Sequence, residues 1–489
     1  MSREELMLNE RLKKLEAMRK KGIEPYPYSY TLSHNIGEII EKNKDLKPEE
    51  KTSQKVKVAG RILSIRQFGK INFCPIADST GSIQLVFEES SCKDLEDFLK
   101  FFDMGDFIGV EGAVFKTKRG ELSILVKNFQ MLGKALKPLP EKWHGLQDKE
   151  LRYRQRYIDL IINPKIKETF VLRGRIIKTM KEFLDSKGFI EADTPILQTI
   201  YGGAAAKPFI TELNDLKMKI YLRISNELYL KRLVIGGFDK VYEFAKDFRN
   251  EGIDRTHNPE FLMVEMYQAY SDYNDMIKLC EQIIEYTAKK VLGTTEIEYQ
   301  GKKISLKAPW QRITMYDAIK KYAKIDVEKM SDSGVRKEAE KLKVKDASKL
   351  SRGLLIAEIF KETCEKNLIQ PTFVTDFPKE TSPLCKAHRK NPELIERFEP
   401  YINGWEIGNA YSELNDPQLQ KKLLEEQAKL LRAGDEEANP YDEDFVNAIE
   451  QGMPPTGGLG IGIDRIVMLL TDSESIRDVI LFPFMKQNI

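Results

Sequence analysis

From Ser2 to Lys21, Leu6, Leu12, Leu15 and Met18 recur among charged residues, and Gly22, Pro25 and Pro27 end the run. This spacing predicts an amphipathic helix with a basic face, followed by a connector to residue 54. Over residues 55–135 the period shortens. VKVAGRILSIRQ, INFCPIAD and SIQLVFEE read as strands, SCKDLEDFLKFF as a helix, and DFIGVEGAVFKTK and ELSILVKNFQML as two more strands. The order β-β-β-α-β-β fits a five-stranded OB-fold barrel, which binds oligonucleotides across its sheet face. Residues 136–150, with Pro138, Pro140 and Gly145, break any period and read as a linker. Residues 151–489 mix both periods. Ile166, Phe170, Ile176, Ile177, Met180, Phe183 and Leu184 are helically spaced between Pro164 and Gly188, ahead of a strand in GFIEADTPIL. Val241, Glu243 and Ala245, then Leu262, Val264 and Met266, alternate as two strands around the polar loop Asn250–Pro259. MIKLCEQIIEYTAKKVLG and LLIAEIFKETCEKNL are helical by period, and the charged stretch 326–349 reads as a solvated helical insertion. QPTFVTDFP reads as a core strand, and GGLGIGIDRIVMLL as a glycine-rich strand entering an apolar helix. The fold class is α+β.

Length and charge narrow this picture little: 489 residues call for at least two domains, and a formal net charge of +2 leaves any nucleic-acid surface to local clustering. The cysteines say more. Their number is five, with no Cys-x-x-Cys pair, which argues against a disulfide framework or a zinc site and for a reducing cytosol. The N-terminus is charged without an apolar core and no apolar run reaches the ~18 residues of a membrane span, so neither secretion nor membrane anchoring is expected.

The densest chemistry lies in residues 247–268, DFRNEGIDRTHNPEFLMVEMYQ. An arginine at a strand end offers a planar fork to a phosphate, and Phe261 a face for a purine; a salt-bridged polar hairpin would carry the same residues. Glu399 and Glu406 come to one side of two strands if Asn403 and Gly404 form the hairpin turn, and such oxygens suit magnesium, whereas the plain alternative is a pair of exposed glutamates. Gly202 and Gly203 permit close backbone approach to a ligand or simply make a turn. Glu227 follows two cap-type residues, Ser225 and Asn226, where it also favours a helix dipole. Arg11, Lys13, Lys14, Arg19, Lys20 and Lys21 either track a phosphate backbone or form a solvated face. The arginines of LRYRQRYIDLI serve packing or RNA contact equally well.

The run FRNEGIDRTHNPEF resembles motif 2 of the class II aminoacyl-tRNA synthetases. GGAAAKPFIT, YLRISNELYLKRL, EIGNAYSELNDP and GGLGIGIDRIVMLL are similar, in the same order, to the lysyl-tRNA synthetase set, and the likeness covers essentially the whole chain. The resemblance implies a catalytic domain with a mostly antiparallel sheet flanked by helices, cytoplasmic and homodimeric through the Pro164–Gly188 helix. Its implied reaction is lysine–tRNA ligation from L-lysine, ATP and tRNA(Lys). It implies Arg249 and Arg465 as catalytic residues on the α- and γ-phosphates, Glu251 at the adenine amino group, His257 at phosphate and Phe261 beneath the purine. For lysine it implies the backbone at Gly203 with Glu227 on the α-ammonium, Arg249 and Asn409 on the carboxylate, Glu265, Glu413 and Tyr267 at the side-chain end, and Tyr411 along the stem. Position 411 is often phenylalanine in bacterial relatives. An ε-ammonium is costly to bury unpaired, so fixed carboxylates at the pocket end make physical sense. Mg²⁺ on Glu399 and Glu406 is likewise implied, as are anticodon contacts from Phe73, Arg66, Gln84 and Glu121; Phe73 fits a barrel core as well. Arg255 receives no role. Lys329, Met330 and Ser331 resemble the class I KMS signature by chance, as no HIGH partner exists in the chain. Three rivals fit less well. An aspartate-group synthetase would not need several anions around the side chain, an inactive paralogue need not keep Arg249, Glu399, Glu406 and Arg465, and the ligase that modifies an elongation factor lacks the barrel.

Overall fold

A computed structural model describes residues 2–140, 148–435 and 438–486. The chain divides into two compact units, Met1–Gln147 and Asp148–Ile489. Part of the expected linker, residues 141–147, lies outside the described residues.

The first unit opens with the helix Arg3–Lys20, started by a capping box in which Ser2 and Glu5 satisfy each other's backbone amides. Leu15 and Met18 face inward, but Leu6 and Leu12 stay exposed. Part of the expected basic face is structural. Arg11 is buried and donates to the carbonyls of Met104, Ala135 and Lys137, while Lys14 and Lys21 pair with Asp103 and Asp97. A guanidinium has enough donors to satisfy several carbonyls at once, so periodicity does not distinguish it from a solvated one. Lys13, Arg19 and Lys20 remain exposed.

Six strands follow: β1 (Lys51–Ile62), β2 (Arg66–Phe68), β3 (Ile71–Ala77), β4 (Ser82–Glu88), β5 (Phe107–Lys116) and β6 (Leu122–Gly133), with the helix Leu95–Phe101 between β4 and β5. Pairing β1-β5-β6-β4-β3 closes through β1 on β3 to make a five-strand barrel, and β2 extends β3 as a hairpin. Sequence alternation joined β1 and β2 into one strand; the chain instead breaks at residues 63–65, where Leu63 donates to the Pro75 carbonyl. Val58, Cys74, Ile76, Leu85, Phe87 and Val126 fill the interior, with Phe87 and Phe98 stacked at 3.9 Å between centroids.

The second unit is built on a nine-stranded sheet. In chain order its strands and the smaller pairs are β7 (Ile190–Glu191), β8 (Leu197–Gln198), β9 (Ile210–Leu213), β10 (Met218–Leu222), β11 (Lys240–Phe248), β12 (Glu260–Ala269), β13 (Glu296–Tyr299), β14 (Lys302–Ser305), β15 (Gln311–Thr314), β16 (Thr372–Pro378), β17 (Leu394–Ile402), β18 (Trp405–Glu406), β19 (Gly408–Ser412) and β20 (Thr456–Gly462). The large sheet runs β15-β16-β17-β19-β20-β12-β11-β7, with β18 on β17, and is parallel only at its two ends. β8, β9 and β10 form a separate small sheet. The strand expected in GFIEADTPIL is two residues long, since Pro195 and the bends around it interrupt pairing.

One sheet face is covered by the helices Pro164–Ser186 and Tyr273–Leu292. The latter turns Met276, Cys280, Ile283, Ile284 and Val291 inward and ends at Gly293 with φ of 78°. Each fully buried aliphatic side chain contributes about 1.5–3 kcal/mol. Stretch 326–349 is less solvated than its charge implied. Val335 and Ala339 lie on one face of the helix Asp332–Lys341 and are buried beside Leu355 and Ile359, so two apolar positions one turn apart suffice to dock it. Ser331 caps that helix by accepting from Gly334, which gives the KMS-like tripeptide a structural purpose. No helix among the described residues is long and apolar enough to cross a membrane.

The arginines of LRYRQRYIDLI pack. Arg156 is 1% exposed, pairs with Asp159 at 2.8 Å and donates to the carbonyls of Arg477 and Leu481, while Arg152 takes the other Asp159 oxygen. Removing one partner of a buried pair strands the other. Arg156→Met is expected to lower stability by about 3–5 kcal/mol, measured as a shift in the urea transition followed by tryptophan fluorescence.

Candidate active site

Three adjacent strands build the floor. In β12, Glu265 pairs in register with Gly460 of β20, which pairs with Asn409 of β19; one row along, Tyr267, Gly458 and Tyr411 repeat the arrangement. Directly opposed residues share a face, so two rows of polar side chains flank a central strand that has none. Gly458 is glycine for a steric reason. A Cβ there would sit 2.0 Å from Glu413 Oε1 and 2.6 Å from Tyr267 Cε1. Gly203 closes the side with φ of 88°, its Cβ position 2.9 Å from Ser225 Oγ. The resulting cavity, about 370 Å³, is lined by Gly203, Glu227, Arg249, Glu265, Asn409 and Glu413 among others.

At its closed end three carboxylates converge. Glu265 accepts from Tyr267 Oη at 2.8 Å and Ser225 Oγ at 3.1 Å, and burial together with the charge of Glu227 pushes it up to about 7. Glu227 begins the helix Glu227–Ile235; its amide donates to Ser225 Oγ, and its carboxylate accepts from Tyr411 Oη at 2.5 Å. Burial also drives Glu413 well above the usual carboxylate range, with Lys231 pulling it back. Sequence reading missed Lys231, which is fully buried and ion-paired to both Glu227 and Glu413. The i,i+4 spacing of Glu227 and Lys231 is visible in the sequence, but such pairs are usually surface features. Glu413 Oε1 is buried and no donor among the described residues reaches it. A buried orphan acceptor is costly, and a cationic ligand group would relieve it.

The open end is basic. Arg249 follows β11, its guanidinium carbon 5.0 Å from the Phe261 ring centroid, and its Nε is buried with no acceptor among the described residues. Its main chain is held by Arg249 N to Pro259 O at 2.9 Å and Asn250 N to Lys207 O at 2.8 Å. Asp254 organises the loop by accepting from the Thr256 and His257 amides and from His257 Nδ1. Burial opposes its charge, but these bonds bring it down to about 2. His257 Nε2 lies 3.2 Å from Arg465 Nη2, and Arg465 also donates to the Glu406 carbonyl. Arg255 pins the loop through Glu474 at 2.5 Å. Glu251 is exposed at the cavity rim.

The carboxylate pair behaves as its spacing suggested. Asn403 and Gly404, with φ of 55° and 77°, turn β17 into β18 and bring Glu406 opposite Tyr401, on the same face as Glu399. Arg397 and Tyr401 each donate to Glu399 at 2.6 Å, and Arg397 Nε donates to Asn409 Oδ1 at 2.8 Å. Burial, countered by Arg397 and reinforced by Glu406, puts Glu399 at about 7. Glu365, also unforeseen, accepts from Tyr401 at 3.2 Å and is raised to about 7, chiefly by burial. Glu365 lies far from the motifs in sequence, whereas Arg397 and Tyr401 flank Glu399 two residues to either side, where strand alternation puts all three on one face, and sequence reading passed over them.

In the first unit, Phe73 lies on the outer barrel face, edge-on to Phe68 at 5.9 Å, rather than in the core. Arg66 is opposite it in register. Gln84 donates to Ser123 at 3.0 Å, and Ser123 donates to the carbonyl of exposed Glu121. Phe73, Arg66 and Gln84 thus lie on neighbouring strands, with Glu121 just ahead of β6.

A nucleotide-sized cleft on an antiparallel sheet, with an arginine after β11 and another in the helix after glycine-rich β20, defines the class II synthetase type of catalytic domain. Residues 148–486 match the family model for tRNA synthetases class II (D, K and N), and residues 56–132 match the OB-fold nucleic acid binding domain. Lysine–tRNA ligases resemble the chain throughout: that of Carboxydothermus hydrogenoformans is 52% identical, covering 97% of both chains. Those of Clostridium novyi (50%, covering 98% of this chain and 94% of the relative) and a Thermoanaerobacter species (52%, covering 98% and 96%) are similarly close. The chain belongs to the class II lysyl-tRNA synthetase family.

Gly458→Ala is expected to raise KM for the cationic amino acid by roughly 10- to 200-fold, the scale of one misplaced carbon in a tight pocket, with KM for ATP unchanged. Steady-state pyrophosphate exchange at varied amino acid and ATP checks this; an equal rise in both constants would point to general disruption instead.

Proposed function

We propose that this chain activates L-lysine with ATP to lysyl-adenylate and pyrophosphate, then transfers lysine to the 3′-terminal adenosine of tRNA(Lys). The observation that carries the reading is Glu413 Oε1, a buried acceptor with no donor among the described residues, at the end of a pocket holding Glu227 and Glu265. An ε-ammonium satisfies it. Glu227 and the Gly203 backbone receive the α-ammonium, Tyr267 and Glu265 complete the side-chain end, and Tyr411 walls the stem. Arg249, with Asn409, draws the substrate carboxylate toward the α-phosphorus. The carboxylate oxygen attacks in line, and pyrophosphate leaves. In the second step the ribose hydroxyl attacks the adenylate carbonyl and AMP leaves. Arg249 and Arg465 stabilise charge on the phosphate oxygens; Phe261 stacks the purine, Glu251 accepts from its amino group, and His257 contacts phosphate.

Magnesium fits Glu399 and Glu406. They are hard oxygen donors on one face; Glu399 is raised chiefly by burial, with the charge of Glu406 adding to it against Arg397. Among the described residues no group of three or more His, Cys, Asp or Glu could hold a metal. When bound, the cation neutralises charge on the triphosphate.

Anticodon bases stack on Phe73 and are read by Arg66, Gln84 and Glu121. Exposed Val171, Ile190, Leu197 and Ile210 suit burial against a second copy, consistent with a homodimer. Five free, buried cysteines accord with work in the cytoplasm.

Exchange of pyrophosphate into ATP, with each of the twenty amino acids in turn and no tRNA, is expected with lysine alone. Arg249→Ala should reduce single-turnover activation on the order of 10²–10³-fold with an unchanged circular dichroism spectrum; near-normal activation would remove Arg249 from this role. Phe73→Ala should weaken tRNA binding by about 1–3 kcal/mol, the worth of one stacked base, while leaving exchange intact. A filter-binding titration decides that point.

A further inference from the structure

Lys231 is the one fully buried ammonium in contact with the amino acid pocket's carboxylates among the described residues. It projects from the helix Glu227–Ile235 between Glu227, at 2.5 Å, and Glu413, with the Tyr411 ring centroid 5.3 Å away and that of Phe445 5.9 Å. It contributes to the binding surface only from behind, since the cavity is lined by Glu227 and Glu413 but not by Lys231. We propose that Lys231 is a positioning residue for substrate lysine: its ammonium clamps Glu227 and Glu413 from behind and holds both carboxylates aimed at the two amino groups of the ligand. This rests on the lysine reading above and deepens it.

Titratable groups from several elements face the clamp. Glu227 lies on its own helix, Tyr411 on β19 and Glu413 just beyond that strand, Glu265 and Tyr267 on β12, and Cys385 is bridged to Glu413. Arg249 opposes the same charges from the other end. Crowded carboxylates in a dry site do not all ionise unaided: burial raises Glu265 and Glu413, and the charge of Glu227 adds to both. Burial dominates at Glu265 and Glu413, and Lys231 is the principal cation pulling Glu413 down. The lysine itself is held charged by both partners despite its burial. A protonated Glu413 would present one carboxyl proton to an ε-ammonium that needs an acceptor. The clamp also fixes geometry. Glu413 Oε2 is taken by Lys231, which leaves Oε1 turned toward the space that Gly458 keeps open. A chain with carboxylates alone would be acidic without being ordered.

The test compares wild type, Lys231→Met and Lys231→Arg in lysine-dependent pyrophosphate exchange at pH values from about 6.5 to about 8.5, the range in which a raised carboxyl titrates. For Lys231→Met, KM for lysine should rise at least about tenfold at neutral pH, while KM for ATP and kcat stay near wild type. The sign follows from the lost cation: Glu413 takes up a proton more readily, so the defect is greatest at low pH and narrows as pH rises. Lys231→Arg keeps the charge and should keep the wild-type pH profile. An unchanged lysine KM in a folded Lys231→Met chain overturns the proposal, as does a defect that ignores pH or strikes ATP equally. If the methionine chain shows no cooperative thermal transition, the arginine chain decides: a displaced lysine pH profile with normal ATP binding overturns it, and a retained one supports it. Wild-type protein without lysine-dependent exchange would remove the function and this proposal together.

Discussion

Buried negative charge is the constraint around which the second unit is arranged. Glu227, Glu265 and Glu413 arrive from three separate elements at one closed end of a cleft, where each is expensive unless something answers its charge. Tyrosine hydroxyls, Ser225 and Lys231 answer part of it. What is left over among the described residues is an acceptor on Glu413 and a raised Glu265, the acceptor proposed above to meet the ε-ammonium of lysine. Affinity and selectivity come from the same deficit. A neutral or acidic side chain entering this space would bury more polar groups without pairing them.

The other end of the cleft carries the opposite sign, and the polarity orients the two substrates. Arg249 and Arg465, proposed above to meet the phosphates, do not arise from a strand core: one follows β11, the other rides the first turn of the helix after β20. Their rigidity comes from neighbours. Phe261 faces Arg249, the Glu406 carbonyl accepts from Arg465, and Asp464 ties the Leu262 amide and Arg173 to the same helix. Groups held this way need no reorganisation as charge develops on phosphorus, which is where such sites gain rate. Between the ends, Arg397 joins Asn409 to Glu399 and so couples amino acid and metal-side residues in one hydrogen-bonded line.

Small residues make the crowding possible. β20 contributes Gly458 and Gly460 between rows of Glu265, Asn409, Tyr267 and Tyr411, so the central strand supplies backbone and vacancy together. In the barrel the opposite choice prevails, with aromatic and aliphatic residues filling the inside and the outer face left to Phe73, Arg66 and Gln84. The two units therefore present different surfaces: one encloses charge, the other exposes a ring and polar edges on a curved sheet.

The sequence alone determined the element types, since alternation and helical spacing are properties of neighbouring residues. It also contained the barrel order, the loop between β11 and β12, and the hairpin at Asn403 and Gly404, whose positive φ angles suit those residue types. Family likeness then marked most of the lining residues by position. Only the tertiary structure decided which charges answer which. Arg11 could not be told from a solvated arginine until its carbonyl partners, more than ninety residues away, were in place. Arg156 turned from a possible RNA contact into a core ion pair, and stretch 326–349 from a solvated insertion into a docked helix. Lys231 and Arg397 stand close to Glu227 and Glu399 in the chain, but nothing local shows that these pairs are buried, and Glu365 meets Tyr401 only through the fold. Burial and pairing depend on contacts distant in the chain, and a charged residue carries no local mark of whether water or another charge will surround it.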